Sequence, residues 1–242
     1  MKVVAKSDIG KLREQNQDAF SYGEFKDGSV WAVVCDGMGG AAGGSIASSL
    51  AVEVISEKLS SCYKQGMTTK SIHNLLLSAI ECSNLKIYNM AANDSSLKGM
   101  GTTVVIAVVI GDIVCIANAG DSRAYLATKT DFKQLTRDHS IVQLMIENGE
   151  ITADEAKDHP RKNIITRALG VDENIAVDYY EEKITSEDLL LLCTDGLTNF
   201  AETDEIYRII SVSEKSEIAG KLIDRANENG GGDNITIVTI AN

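Results

Sequence analysis

A chain of 242 residues, 44% hydrophobic and 24% charged, is long enough to bury a sizeable core without disulfide or metal staples. Its formal net charge of −12 argues against nucleic acid or an anionic membrane as partner, because both need a positive face. An acidic chain can still hold divalent cations.

The start, "MKVVAKSDIG", has an apolar run too short for a signal peptide, and the apolar uncharged run Met100 to Gly111 is far short of a membrane span. The expectation is a cytoplasmic protein. Cys35, Cys62, Cys82, Cys115 and Cys193 form no C-x-x-C pair, which reads as buried thiols in a reducing compartment, with neither zinc nor a disulfide framework. One proline, Pro160, no linker-like stretch and no internal period predict a single domain over residues 1–242.

In chain order, "KVVA", "DAFSYGEF" and "SVWAVVCD" read as strands, the last two joined at Asp27-Gly28 as a hairpin. From Ser45 to Leu59 apolar residues recur every four positions, and Ile72, Leu75, Leu76, Ala79, Ile80, Ile87 and Met90 follow the same rule, so two amphipathic helices are predicted. "GTTVVIAVVIG", "DIVCIANAG" and "SRAYLAT" are β-branched runs that predict a three-stranded antiparallel meander. Residues 138–170 change character, with helix-like pieces at "SIVQLMIENG" and "TADEAKDH" and the basic residues Arg161, Lys162 and Arg167. This segment reads as an insertion between strands. "NIAVDYYEEKI", "DLLLLCTD" and "ITIVTIA" return to strand, with a helix predicted over 213–227. A consecutive helix pair between hairpin-like strands favours antiparallel sheets covered by helices over a parallel sheet, and the fold class is α+β with a sandwich core.

A single Asp-Gly after a strand is ordinarily a turn. Here the event recurs: Asp36-Gly37 closes "VWAVVCDG", Asp195-Gly196 closes "LLLLCTDG", Asp233 precedes "NITIV", Asp121 separates two strands, and Asp18 heads another. Carboxylates at strand tips can converge on one sheet edge, where they cannot all stay ionised without a compensating cation. Oxygen ligands without histidine or thiolate suit Mg²⁺ or Mn²⁺ rather than zinc.

"REQNQDAF", "VVCDGMGG", "GTTVV", "NAGDSRAYL", "ITRALG", "LLLCTDGL" and "GGDNITIV", in this order and over nearly the whole chain, resemble the metal-dependent Ser/Thr protein phosphatase family, also called protein phosphatase 2C, in its compact bacterial form. The resemblance implies a four-layer α-β-β-α fold, two antiparallel sheets flanked by pairs of helices, with a binuclear Mn²⁺ or Mg²⁺ centre at one end. It implies that Asp36 bridges both ions, that the Gly37 carbonyl and a water-mediated contact from Asp18 hold one, and that Asp195 and Asp233 hold the other. A water between the ions is then the nucleophile, with no phosphoenzyme. Arg13 is implied to bind the phosphoryl oxygens, a task that suits a guanidinium fork. Asp121, together with Asp195, is implied to hold a third, weaker ion. The segment 138–170 corresponds to the family's flap, and Arg161, Lys162 and Arg167 are expected to help admit a phosphorylated segment.

Two positions depart from the family pattern. Met38 stands where many eukaryotic relatives have a histidine, and Ala41 where bacterial relatives often have one. The leaving-group acid is then either water or His139, the latter weighed against a surface or structural role. The expected function is a phosphoserine/phosphothreonine phosphatase acting on phosphorylated proteins, opposed to a Ser/Thr kinase and monomeric by family habit. The alternatives are a catalytically weak phosphoprotein-binding regulatory module and a hydrolase of small phosphate esters.

Overall fold

Side chains alternate across a strand, and in the central strands of this protein both faces are buried. Along β3 (Val30–Met38), Val30, Ala32 and Val34 point one way, into a core between two sheets. Trp31, Val33 and Cys35 point the other way, into a core beneath helices. The same division holds along β5 (Val104–Ile110) and β10 (Leu189–Cys193), whose Leu190 and Leu192 face the partner sheet while Leu189 and Leu191 face helices. Burial on both faces is why these runs read as continuously apolar.

The computed structural model describes residues 1–241, save the side chains of residues 41 and 42. The remaining strands are β1 (Lys2–Asp8), β2 (Asp18–Glu24), β4 (Gly101–Thr102), β6 (Ile113–Ala119), β7 (Arg123–Ala127), β8 (Phe132–Gln134), β9 (Asp178–Lys183) and β11 (Ile235–Ala241). The helices are α1 (Gly40–Cys62), α2 (Thr69–Asn93), α3 (Ile141–Glu147), α4 (Ala153–Lys157), α5 (Asp195–Thr198), α6 (Thr203–Val212) and α7 (Ile218–Glu228). One sheet has the order β1-β11-β10-β7-β8, and the other β2-β3-β5-β6-β9 with β4 paired to β3. Every pairing is antiparallel. Helices α1 and α2 cover the second sheet, and α5 to α7 cover the first, which makes the four layers expected.

The hairpin at Asp27-Gly28 forms as predicted, with Asp18 opposite Asp36 in its register. The meander does not. β5 and β6 pair with each other, but β7 leaves their sheet and joins β10 and β8 in the other. The chain changes sheets at Gly120, whose φ of +119° is open to glycine and not to a β-branched residue. Helix α7 begins at Ile218 rather than at residue 213, and α6 lies before it unpredicted. Of the cysteines expected to be buried, Cys35, Cys115 and Cys193 are, whereas Cys82 is exposed on α2; all five are free thiols.

The end of β3 packs backbone to backbone on the start of α1. A Cβ on Gly37 would lie 2.1 Å from the Gly44 carbonyl oxygen and 2.6 Å from that of Gln17, and no side-chain rotation relieves a clash with backbone. Gly37→Ala is therefore expected to cost about 1–3 kcal/mol by overpacking, at about 2–4 °C of Tm per kcal/mol for a chain of this size. A thermal melt within about 1 °C of wild type, below the smallest shift that scale predicts, would show that this contact does not constrain the fold.

Candidate metal centre

Antiparallel pairing brings the finish of one strand beside the start of the next, and this places the aspartates. β3 and β10 end, and β2, β7 and β11 begin, at the same end of the sandwich. Asp36 sits in the last turn of β3 and Asp18 at the first residue of β2. Asp195 opens α5 just after β10, Asp233 lies two residues before β11, and Asp121 lies in the β6–β7 turn. A cavity of about 660 Å³ opens there, lined by Arg13, Asp36, Gly37, Met38, Asp121, Asp195 and Asp233 among others. Asp18 is not part of its wall.

Each carboxylate is backed by small polar groups. Asp36 N–H donates to Thr103 Oγ1 at 2.9 Å, and its carbonyl accepts from Thr103 N–H and from Thr102 Oγ1, both at 2.8 Å. Thr103 Oγ1 in turn meets Ser122 Oγ at 2.7 Å, which ties the Asp36 strand to the Asp121 turn. Asp18 Oδ2 accepts from Thr194 Oγ1 at 2.9 Å, and Asp195 Oδ2 from Asn199 at 2.8 Å. Thr103, Ser122, Thr194 and Asn199 were not assigned roles from the sequence. Hydroxyl residues beside an aspartate at a strand end were the only signal, and that pattern is common in ordinary turns.

The opposite oxygens, Asp18 Oδ1 and Asp195 Oδ1, are buried and have no hydrogen-bond partner, a state that costs free energy unless something else supplies positive charge. The carboxyl groups also oppose one another. Burial, then the neighbouring Asp18 and Asp195 charges, push Asp36 well above the carboxylate range. Burial, then Asp195, does the same to Asp121, and burial, then Asp233, raises Asp195. Asp18 rises from 3.8 to about 7, mainly by burial. No three acidic, histidine or cysteine side chains among the described residues close on one point at ligand distance. The unpartnered oxygens and the mutual repulsion nevertheless fit hard divalent cations, and a donor set of oxygens alone is the chemistry such ions take.

The loop of residues 9–17 carries Arg13 across the cavity mouth. It is held by Asn234, whose side-chain amide donates to the carbonyls of Ile9 and Gln15 at 2.9 and 3.0 Å. The Asn234 Oδ1 accepts from Gln17 N–H at 2.8 Å. Arg13 donates through one nitrogen to Asp233 Oδ2 at 2.7 Å and keeps 52% of its side chain exposed.

Two expectations for residues 138–170 change. His139 is neither at the surface nor on the cavity wall: it is 1% exposed, and its Nδ1 accepts from Gly120 N–H at 3.0 Å. Its Nε2 lies 3.1 Å from Asp178 Oδ2, and burial holds its pKa below the usual histidine value. It rivets the β6–β7 turn to the inserted segment, and water remains as the acid. The basic residues do not form a group: Arg167 pairs with Asp178 at 2.6 Å, Arg161 rests on Met145, and Lys162 lines an adjoining cavity that shares Asp121 and Asp195 with the first. Asn163 and Ile165 are the residues of this segment that reach the aspartate cavity. Met38 lines that cavity as well, while the side chain at position 41 lies outside the described residues.

Two antiparallel sheets between helices, with acidic strand tips gathered at one end, define a class of metal-dependent phosphatase, and the sequence profile of Protein phosphatase 2C matches residues 11–222. The chain belongs to that family. It is 39% identical over 242 residues to the serine/threonine phosphatase stp of Listeria monocytogenes, covering 97% of this chain and 93% of that protein. Its fold matches the crystal structure of the serine/threonine phosphatase Stp1 from Staphylococcus aureus with a TM-score of 0.94 at 33% identity, over 100% of this chain and 94% of that one. The catalytic domain of the serine/threonine protein phosphatase PstP, solved with two manganese ions, matches with a TM-score of 0.86 at 30% identity, over 98% and 96%.

A carboxyl whose folded pKa is raised keeps its proton in the folded state after the unfolded chain has lost it. The stability it contributes is complete below the unfolded value of 3.8 and is lost as pH rises through about 7 for Asp18. In chelator, Tm is therefore expected to fall between about pH 4 and 7, the window those two values set. Asp36→Asn is expected to raise Tm at the upper end. A chelated protein whose Tm climbs across this window, or a variant less stable than wild type at its upper end, contradicts the repulsion.

Proposed function

We propose that the chain removes phosphate from phosphoserine and phosphothreonine in phosphorylated proteins, using two Mn²⁺ or Mg²⁺ ions. The observation that carries this is the gathering of Asp36, Asp121, Asp195 and Asp233 on one cavity wall, with buried carboxylate oxygens on Asp18 and Asp195 that no protein group satisfies. Asp36 is the proposed bridge, with the Gly37 carbonyl and, through water, Asp18 on one side and Asp195 and Asp233 on the other. Asp121 with Asp195 is the proposed place of a third ion. When bound, such cations supply charge neutralisation and an activated water for in-line attack on phosphorus.

The chain's own residues do the rest. Arg13, exposed at the cavity mouth and bonded to Asp233 through one nitrogen only, orients the phosphoryl group with the remaining donors of its fork. The Thr102 and Thr103 bonds to Asp36 fix its backbone, so the carboxylate does not have to be ordered at the moment of reaction. With Met38 on the wall and His139 buried elsewhere, the serine or threonine alkoxide takes its proton from water. No proposed ligand position is lost, which favours an enzyme over the regulatory module. Among the described residues no helix is long and apolar enough to cross a membrane. Residues 138–170 form the flap of a single catalytic domain spanning 1–242. We further read the chain as a cytoplasmic, monomeric signalling enzyme opposed to a Ser/Thr kinase.

Phosphate release from a phosphothreonine peptide is expected with Mn²⁺ or Mg²⁺ and not with chelator. Asp36→Asn is expected to lose at least about two orders of magnitude in kcat/KM, the size of other losses of transition-state charge stabilisation. Wild-type release no greater than that of the variant would remove the enzyme reading, and peptide binding without turnover would restore the regulatory module. For Arg13→Ala, loss of a charge-assisted bond predicts a KM for phosphopeptide higher by about tenfold or more; an unchanged KM rules out its assigned role.

A further inference from the structure

Beside the aspartate cavity lies a second recess of about 290 Å³. Met38 and Ile165 line both, so they form the wall that the two share. Beyond them the recess is formed by the apolar Ala168, Val171, Ile175 and Ala176 and by the polar Thr166, Arg167, Asp172 and Asn174. Met38 and Val171 both close on the backbone of Gly101: a Cβ there would lie 2.9 Å from Met38 Cε and 3.1 Å from Val171 Cγ2, so their placement needs a glycine at this position.

The recess is preformed. The turn 170–173 that carries Val171 is pinned to α2 by Asn84, which is 1% exposed. Its amide donates to the carbonyls of Asp172 and Glu173 at 3.0 and 2.9 Å, and its Oδ1 accepts from Gly170 N–H at 2.8 Å. Charge in the recess is limited. The Arg167 guanidinium is engaged by Asp178 at 2.6 Å, which leaves Asp172 as the acidic group lining the recess. That carboxylate disfavours an acidic occupant. Val171 stands 48% exposed at the opening.

We propose that this recess is a substrate subsite, and that it receives one apolar side chain flanking the phosphorylated residue. It rests on the phosphatase reading above and deepens it by naming a substrate feature. Three observations select this occupant. The space adjoins the phosphoryl site across Met38 and Ile165, so whatever fills it is joined to the phosphoresidue by a short stretch of chain. Its volume, about 290 Å³, lies at the bottom of the range of small-molecule pockets and has room for one large side chain. Its walls offer apolar contact at a point where the surface is already ordered, so little entropy is lost on binding.

The test uses heptapeptides with a central phosphothreonine and Leu, Ala, Lys or Glu at each neighbouring position, each measured for both turnover and binding, with p-nitrophenyl phosphate as a substrate too small to reach the recess. Leu is expected to exceed Ala by about tenfold in kcat/KM at one position, in the range expected for a side chain entering an apolar pocket, with Glu poorest. Val171→Asp is expected to abolish that preference and leave p-nitrophenyl phosphate turnover unchanged. The exposure of Val171 makes this variant compatible with folding, and Val171→Ala, expected to show an intermediate preference, guards against misfolding. Turnover with no Leu preference at any position, or a Leu preference that survives Val171→Asp, overturns the subsite alone. Binding that prefers Leu and loses the preference in the variant, without turnover of any substrate, supports the subsite and overturns the phosphatase reading.

Discussion

Repulsion among carboxylates governs this protein. Asp18, Asp36, Asp121 and Asp195 are raised by burial and by one another's charge, so one end of an otherwise apolar sandwich is held under electrostatic tension. Two sheets share a dry core of Val, Ile, Leu and Ala side chains, and helices seal both outer faces. That burial supplies the free energy that keeps the tips together against their charge. The same tension sets a preference for cations, because positive charge brought between the carboxylates removes the penalty at its source.

The geometry that makes the tips converge also makes them rigid. Asp36 and Asp18 face each other across a hairpin, and the chain of hydroxyls from Thr103 to Ser122 carries that order to the Asp121 turn. His139 extends it further, holding Gly120 with one ring nitrogen and reaching Arg167 and Asp178 with the other. The segment 138–170 is thus anchored at its root to the turn that carries Asp121, while Asn163 and Ile165 reach the cavity. Recognition elements on an inserted segment with a rigid root are a common arrangement, since the scaffold fixes the reacting groups and the insertion is free to vary.

Most of the fold was legible in the sequence because its elements obey simple periods. Four-residue spacing marked α1 and α2, and Asp27-Gly28 marked the β2–β3 hairpin. The failures were non-local. Nothing in "SRAYLAT" tells that β7 abandons β6 for β10, because both sheets offer it the same apolar face. Helix α6 escaped because only Ile206 on it is buried. Beside Asp138, His139 could be read as an acid or as a surface or structural residue, and the structural role it takes depends on Gly120 and Asp178, which are far from it in the chain.

The sequence by itself determined the acidic residues at strand ends, the oxygen-only donor set, the order of the motifs and hence the family, since these are properties of local spacing and residue type. Only the tertiary structure decided that the strand ends meet at one place and that Asp18 stands behind the cavity wall. It decided too that Arg167 is spent on Asp178 and that Met38, Ile165 and Val171 line a recess beside the aspartate cavity. Those facts depend on which strands pair and on which side chains approach across long stretches of chain, and such contacts leave no periodic trace along the sequence.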